Sequence, residues 1–120
     1  MKKATRHQTK DHNSRLVLRT IYEAGATSRA EIARQTQLTR PTVSTLVAAL
    51  LDSDLVVETG QGPSAGGKRP TLVAVNGHGR ILLTLDLSGG EFRGAVVNLN
   101  GDILHRSAVP ATAPAGAPLD

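Results

Sequence analysis

The chain has 120 residues, with 14 Lys+Arg against 10 Asp+Glu and no cysteine. That length accommodates one small domain plus a fragment, and the missing cysteines exclude disulfides and thiolate metal sites. No stretch reaches ~18 consecutive apolar residues, so no membrane span is expected; the basic start lacks the apolar run of a signal peptide, and a cytoplasmic location fits.

Residues 1–12, M-K-K-A-T-R-H-Q-T-K-D-H, read as a disordered basic arm. His7 and His12 stand isolated there, and no metal site is expected. Asn13 or Ser14 is suited to cap a first helix that runs to about Ala24. Val17, Leu18 and Ile21 form its inner stripe, Tyr22 lies at its edge, and Gly25 is a C-terminal stop.

Ser28 starts a second helix. Glu31 follows three residues later, the spacing of a capping box. Ile32 and Ala33 face inward, the helix ends near Thr36, and Leu38 plugs the connection. Thr39 is the N-cap of a third helix reaching Leu51. Arg40 and Pro41 lie in its first turn, where proline removes no intrahelical bond. Val43, Leu46, Val47 and Leu50 recur at helical spacing and form its inner face. The opposite face, Pro41, Thr42, Ser44, Thr45 and Ala48, is short. Three helices sharing these apolar residues make one core.

A helix-turn-helix of this kind places its second helix in the DNA major groove. Short residues let the backbone approach base edges, and hydroxyls serve bases or phosphates. Candidate DNA contacts are therefore Ser28, Thr39, Arg40, Pro41, Thr42, Ser44 and Thr45. An ordinary αα-hairpin fits the same segment.

Beyond Asp52 the pattern changes to two short strands, Leu55–Thr59 and Thr71–Val75. The linking segment, residues 60–70, is G-Q-G-P-S-A-G-G-K-R-P. Strands flanking such a loop predict a β-hairpin with a flexible tip. Three helices followed by a hairpin make a winged helix-turn-helix over residues 13–76. Lys68 and Arg69 sit in the wing beside glycine and proline, suited to the DNA backbone or a narrow minor groove. Charge is distributed accordingly: residues 1–50 hold nine basic and three acidic side chains, a field that favours phosphate.

Residues 80–107 read as a three-stranded meander: Ile81–Leu87, Phe92–Leu99 and Ile103–Ser107. Ser88-Gly89-Gly90 makes the first turn, and Asn100-Gly101 is a strong hairpin signal. Such a sheet needs a covering layer. Residues 108–120 are Ala/Pro-rich and read as a disordered tail. The fold class is α+β.

Three blocks in this order resemble the amino-terminal part of a ROK (repressor–ORF–kinase) family regulator. They are S-R-A-E-I-A-R…L-T-R-P-T-V-S, P-S-A-G-G-K-R-P-T and L-D-L-S-G-G…V-N-L-N-G-D-I-L. The resemblance implies a MarR-like winged helix on operator DNA, followed by the start of a sugar-kinase-like domain of actin-type fold, truncated here. It also implies a repressor of sugar-related genes, with double-stranded DNA as partner and a possible homodimer. A sugar effector is implied only where a sensor domain is present. The family's phosphate loop, D-x-G-G-T, is degenerate at Asp86, Ser88, Gly89 and Gly90: serine replaces a glycine and glycine replaces a threonine. ATP use, a catalytic role and any cofactor are therefore not expected. Two other readings stand beside this one, a truncated sugar kinase of the same family and a winged helix that binds protein.

Overall fold

The computed structural model describes residues 3, 5–63 and 66–111. They divide into two units, Met1–Asn76 and Gly77–Asp120.

In the first unit, α1 spans Arg6–Ala24. Its start is fixed by a reciprocal cap. The Thr5 hydroxyl accepts from the Gln8 N–H at 3.1 Å, and the Gln8 side chain accepts from the Thr5 N–H at 2.8 Å. Residues 6–12 are thus helical, which corrects the expectation of a disordered arm there and of a cap at Asn13 or Ser14. This segment carries no apolar stripe to announce a helix, and the cap alone sets its beginning. Met1, Lys2 and Ala4 of that arm lie outside the described residues. Gly25 ends the helix at φ +78°, and its N–H reaches the carbonyls of Ile21 and Tyr22.

A two-residue strand, β1 (Thr27–Ser28), leads directly into α2 (Arg29–Thr36). The Ser28 hydroxyl caps α2 by accepting from the Glu31 N–H at 3.2 Å. Only this half of the expected capping box forms. The Glu31 carboxylate instead receives hydrogen bonds from Arg34 and Gln35. Gln37 closes α2 in the left-handed region at φ 61°, and its side-chain amide donates to the Arg34 carbonyl at 3.1 Å. One turn later α3 begins and spans Arg40–Asp52, capped by Thr39.

Strands β2 (Val56–Gln61) and β3 (Thr71–Val75) form the hairpin. β1 adds to its other edge, so the sheet order is β1-β3-β2, all antiparallel. A bulge between Glu58 and Gly60 lets β2 continue to Gln61, two residues beyond the expected end at Thr59. The core joins Val17 and Ile21 of α1, Ile32 of α2 and Val43, Leu46, Val47 and Leu50 of α3 to Val56 and Val73 of the sheet. Leu18 and Leu38 pack against it half-buried.

The second unit is an antiparallel meander of β4 (Ile81–Asp86), β5 (Glu91–Asn98) and β6 (Ile103–Pro110). Asn98, only 4% exposed, organises the second turn. Its side-chain oxygen accepts from the N–H groups of Asn100 and Asp102, and its amide donates to the Asp102 carboxylate. Residues 108–110 pair with Arg93, Phe92 and Glu91, so the expected tail is strand at its start. Pro110 is tolerated because β6 is an edge strand. Residues 112–120 lie outside the described residues. Leu83 and Leu85 are 77% and 78% exposed, in line with a sheet that lacks a covering layer among the described residues.

Candidate nucleic-acid interface

The sequence of α3 separates its two faces cleanly. Val43, Leu46, Val47 and Leu50 are buried, whereas Arg40, Pro41, Ser44, Thr45 and Ala48 are exposed and Thr42 is half-buried. The outward side is therefore a short polar strip on a helix that the core holds rigidly.

Hydrogen bonds divide the hydroxyls on this strip. Thr39 is spent on the cap: its oxygen accepts from the Thr42 N–H at 3.3 Å and its proton goes to the Thr42 hydroxyl at 2.8 Å. Thr42 retains its own proton and presents a donor. Thr45 donates to the Pro41 carbonyl at 3.0 Å, so its hydroxyl faces outward only as an acceptor. Ser44 makes no hydrogen bond among the described residues and is free to do either. Arg40 stands exposed at the helix start without an ion pair among the described residues.

Ser28, Lys68 and Arg69 belong to a different place. Together with Arg29, Ala30, Pro70 and Thr71 they line a shallow cavity of about 310 Å³ between the start of α2 and the base of the wing. Ser28 acts there as the cap of α2, with its oxygen occupied. Lys68 and Arg69 are exposed and carry no ion pair among the described residues. Ser64 and Ala65 of the wing tip lie outside the described residues. Sequence reasoning missed Arg29, whose guanidinium bonds Glu58 of β2 at 3.4 Å. This pair ties the start of α2 to the wing strand. Its signal was present, since Arg29 directly follows the cap, but the partner lies 29 residues away.

The electrostatics of α2 are set by Glu31. Its carboxyl is held down to about 2 from an ordinary 4.5, first by the hydrogen bond from Arg34 and then by that from Gln35. A carboxylate in the first turn also suits the positive end of the helix.

In the meander, the Asp86 carboxylate accepts from the Ser88 hydroxyl at 2.6 Å and the Ser88 N–H at 2.9 Å. Both bonds hold its pKa below the usual carboxylate range, the hydroxyl bond contributing most. Gly89 and Gly90 have φ of +71° and +78°. The loop thus closes on itself, with Ser88 occupying the aspartate locally. No group of three or more potential metal ligands occurs among the described residues. No helix among them is long and apolar enough to cross a membrane.

Comparison with known proteins agrees with this layout. A MarR family model matches residues 12–69. The chain is 35% identical over 95 residues to a putative xylose repressor of Caldicellulosiruptor sp. (strain Rt8B.4), covering 79% of this chain and 24% of that protein. It is 33% identical over 92 residues to the xylose repressor of Bacillus subtilis (strain 168), covering 77% and 24% respectively. The chain thus spans about a quarter of the length of these relatives. Among solved structures, a ROK family transcriptional regulator, a homolog of the E. coli MLC protein, superposes with a TM-score of 0.70. It is 22% identical and covers 85% of this chain and 26% of that one. The motif blocks, the winged helix with its following sheet and these relatives all liken the chain to the amino-terminal part of ROK family regulators, the MarR-type winged helix and the strands that follow it.

Proposed function

We propose that the chain is the DNA-binding segment of a cytoplasmic transcription repressor of sugar-related genes. α3 enters the major groove, and the wing at residues 60–70 lies on the backbone or in the minor groove. The observation that carries this reading is the outer strip of α3: short, exposed, polar and begun by an unpaired Arg40. Lys68 and Arg69, exposed in the wing, add a second unpaired cationic cluster. The relatives' names support a repressor, and xylose is the sugar in those names. One winged helix covers one half-site, so tight selective binding calls for a second copy, and a homodimer follows. The chain works without enzymatic activity or a cofactor.

Fluorescence anisotropy on duplexes selected by this chain from a random pool, against scrambled duplex over a salt series, tests the reading. Arg69→Ala is expected to weaken binding to every duplex and to reduce the salt slope by about 0.9 per lost phosphate contact. Ser44→Ala is expected to change sequence preference, by about 1–3 kcal/mol at one base pair. If an Arg40→Ala/Arg69→Ala variant bound every duplex as well as the parent, the winged helix would be a protein-interaction module instead.

A further inference from the structure

The first two turns of α1 have no role in the core. Residues 6–12 are exposed, and the buried positions of the helix begin at Val17. The segment R-H-Q-T-K-D-H-N contains no apolar residue. Its charge also runs against its own helix: Arg6 occupies the first turn and no acidic residue stands there, although the positive end of the helix dipole favours acids at that position. A capped helical extension that helps neither the core nor its own dipole calls for a use elsewhere.

Its placement supplies one. Arg6, Thr9, Lys10 and Asn13 share one face at helical spacing. They form one wall of a cleft of about 590 Å³, whose other wall is Pro41, Thr42, Thr45 and Leu46 of α3. That lining contains two cations, several neutral hydrogen-bonding groups and no carboxylate. The acidic residue of this part of α1, Asp11, lies 3.4 Å from the His7 imidazole and is not part of the lining. Arg6 and Lys10 make no ion pair among the described residues. The cleft shares no residue with the cavity under the wing, so it is a separate cationic surface.

We propose that this cleft seats one phosphodiester strand of the DNA, with Arg6 and Lys10 on successive phosphates and Asn13 and Thr9 as neutral donors. The inference rests on the reading of α3 as the groove-entering helix. Pro41, Thr42 and Thr45 belong both to the cleft and to the outer strip of α3, so the backbone bordering an occupied major groove crosses the cleft. Arg6 and Lys10 stand about one turn apart along α1, roughly 6 Å. α3 is then gripped by two independent phosphate clamps, one on α1 and one in the wing.

The test uses the 120-residue chain, its Arg6→Gln/Lys10→Gln variant and duplexes selected as above. The variant is expected to melt like the parent, because neither side chain is buried. Its plot of log affinity against log salt is expected to be shallower by about 1.8, two phosphates at 0.9 each, on selected and scrambled duplex alike. A single neutral methylphosphonate, scanned along the selected duplex, is expected to weaken the parent at positions under both clamps, and the one or two positions under α1 lose that effect in the variant. Parent-like slopes and an unchanged methylphosphonate profile, in a variant whose Arg69→Ala counterpart does lose affinity, would overturn the α1 clamp and leave the α3 reading standing. Failure of the parent to bind any duplex would overturn both. Binding of an acidic peptide such as polyglutamate that Arg6→Gln/Lys10→Gln abolishes, with DNA binding intact, would overturn the clamp in favour of a protein partner.

Discussion

α2 offers a sharp test of how the first unit is held together. The helix has eight residues, and its one fully buried side chain is Ile32, with no exposed surface. A helix this short is not stable alone, so its place depends on that anchor. Ile32→Ala removes three carbons from a site wholly out of water, about 2.4 kcal/mol at ~0.8 per carbon. The unfilled cavity raises the cost into a range of about 2–5 kcal/mol. A unit of this size has a total stability of about 4–11 kcal/mol, so the loss is a large share of it. At ~4–8 °C per kcal/mol the melting midpoint is expected to fall by at least about 10 °C. All three helices among the described residues belong to the first unit, so helical ellipticity on heating reads this unit. Gln35→Ala, exposed on the same helix, serves as the comparison: it removes one surface hydrogen bond, to Glu31, and no buried surface, and is expected to shift the midpoint far less. A fall of under ~5 °C for Ile32→Ala would refute the packing argument, because even the transfer loss alone predicts more.

Two further outcomes follow from local geometry. Glu31 titrates near pH 2 rather than at its ordinary 4.5, because Arg34 and Gln35 bond its carboxylate. Its stabilising contribution is therefore complete above about 4.5 and disappears as pH falls through about 2; an NMR titration of the Glu31 side-chain carbonyl with a midpoint near 4.5 would contradict this. Gly60, beside the bulge in β2, has φ +128° and open space where a Cβ would stand. Gly60→Ala is thus a test of backbone conformation without a clash and is expected to cost about 1–3 kcal/mol in thermal unfolding; an unchanged melt would mean that the bulge does not hold this conformation in solution.

The parts of the fold that were legible in the sequence are those where several local signals agree. The bounds of α2 and α3 were set by Ser28 and Thr39 as caps, by Pro41 in the first turn and by apolar residues at helical spacing. The first two turns of α1 were missed because they lack any apolar periodicity; only Thr5 and Gln8, a pair easily passed over, mark the start. β1 is two residues long and has no pattern of its own; it exists because β3 offers an edge, with Val73 opposite Thr27. β2 runs past a glycine that reads as loop, since a bulge absorbs it. In the candidate interface, residue types were readable but their hydrogen-bond states were not. That Thr45 presents only an acceptor depends on the Pro41 carbonyl one turn earlier, and the grouping of Ser28 with Lys68 and Arg69 depends on the hairpin folding back.

The division of α3 into a buried face and an exposed one has a consequence for how such proteins diversify. Ser44, Thr45 and Ala48 contribute nothing to the core, and surface changes away from caps and cores usually alter stability by less than ~0.5 kcal/mol. Where α3 reads DNA as proposed above, a lineage can therefore exchange these residues one at a time and move to a new operator without passing through an unfolded intermediate. Duplicated copies of such a gene can part ways in target while keeping the same scaffold.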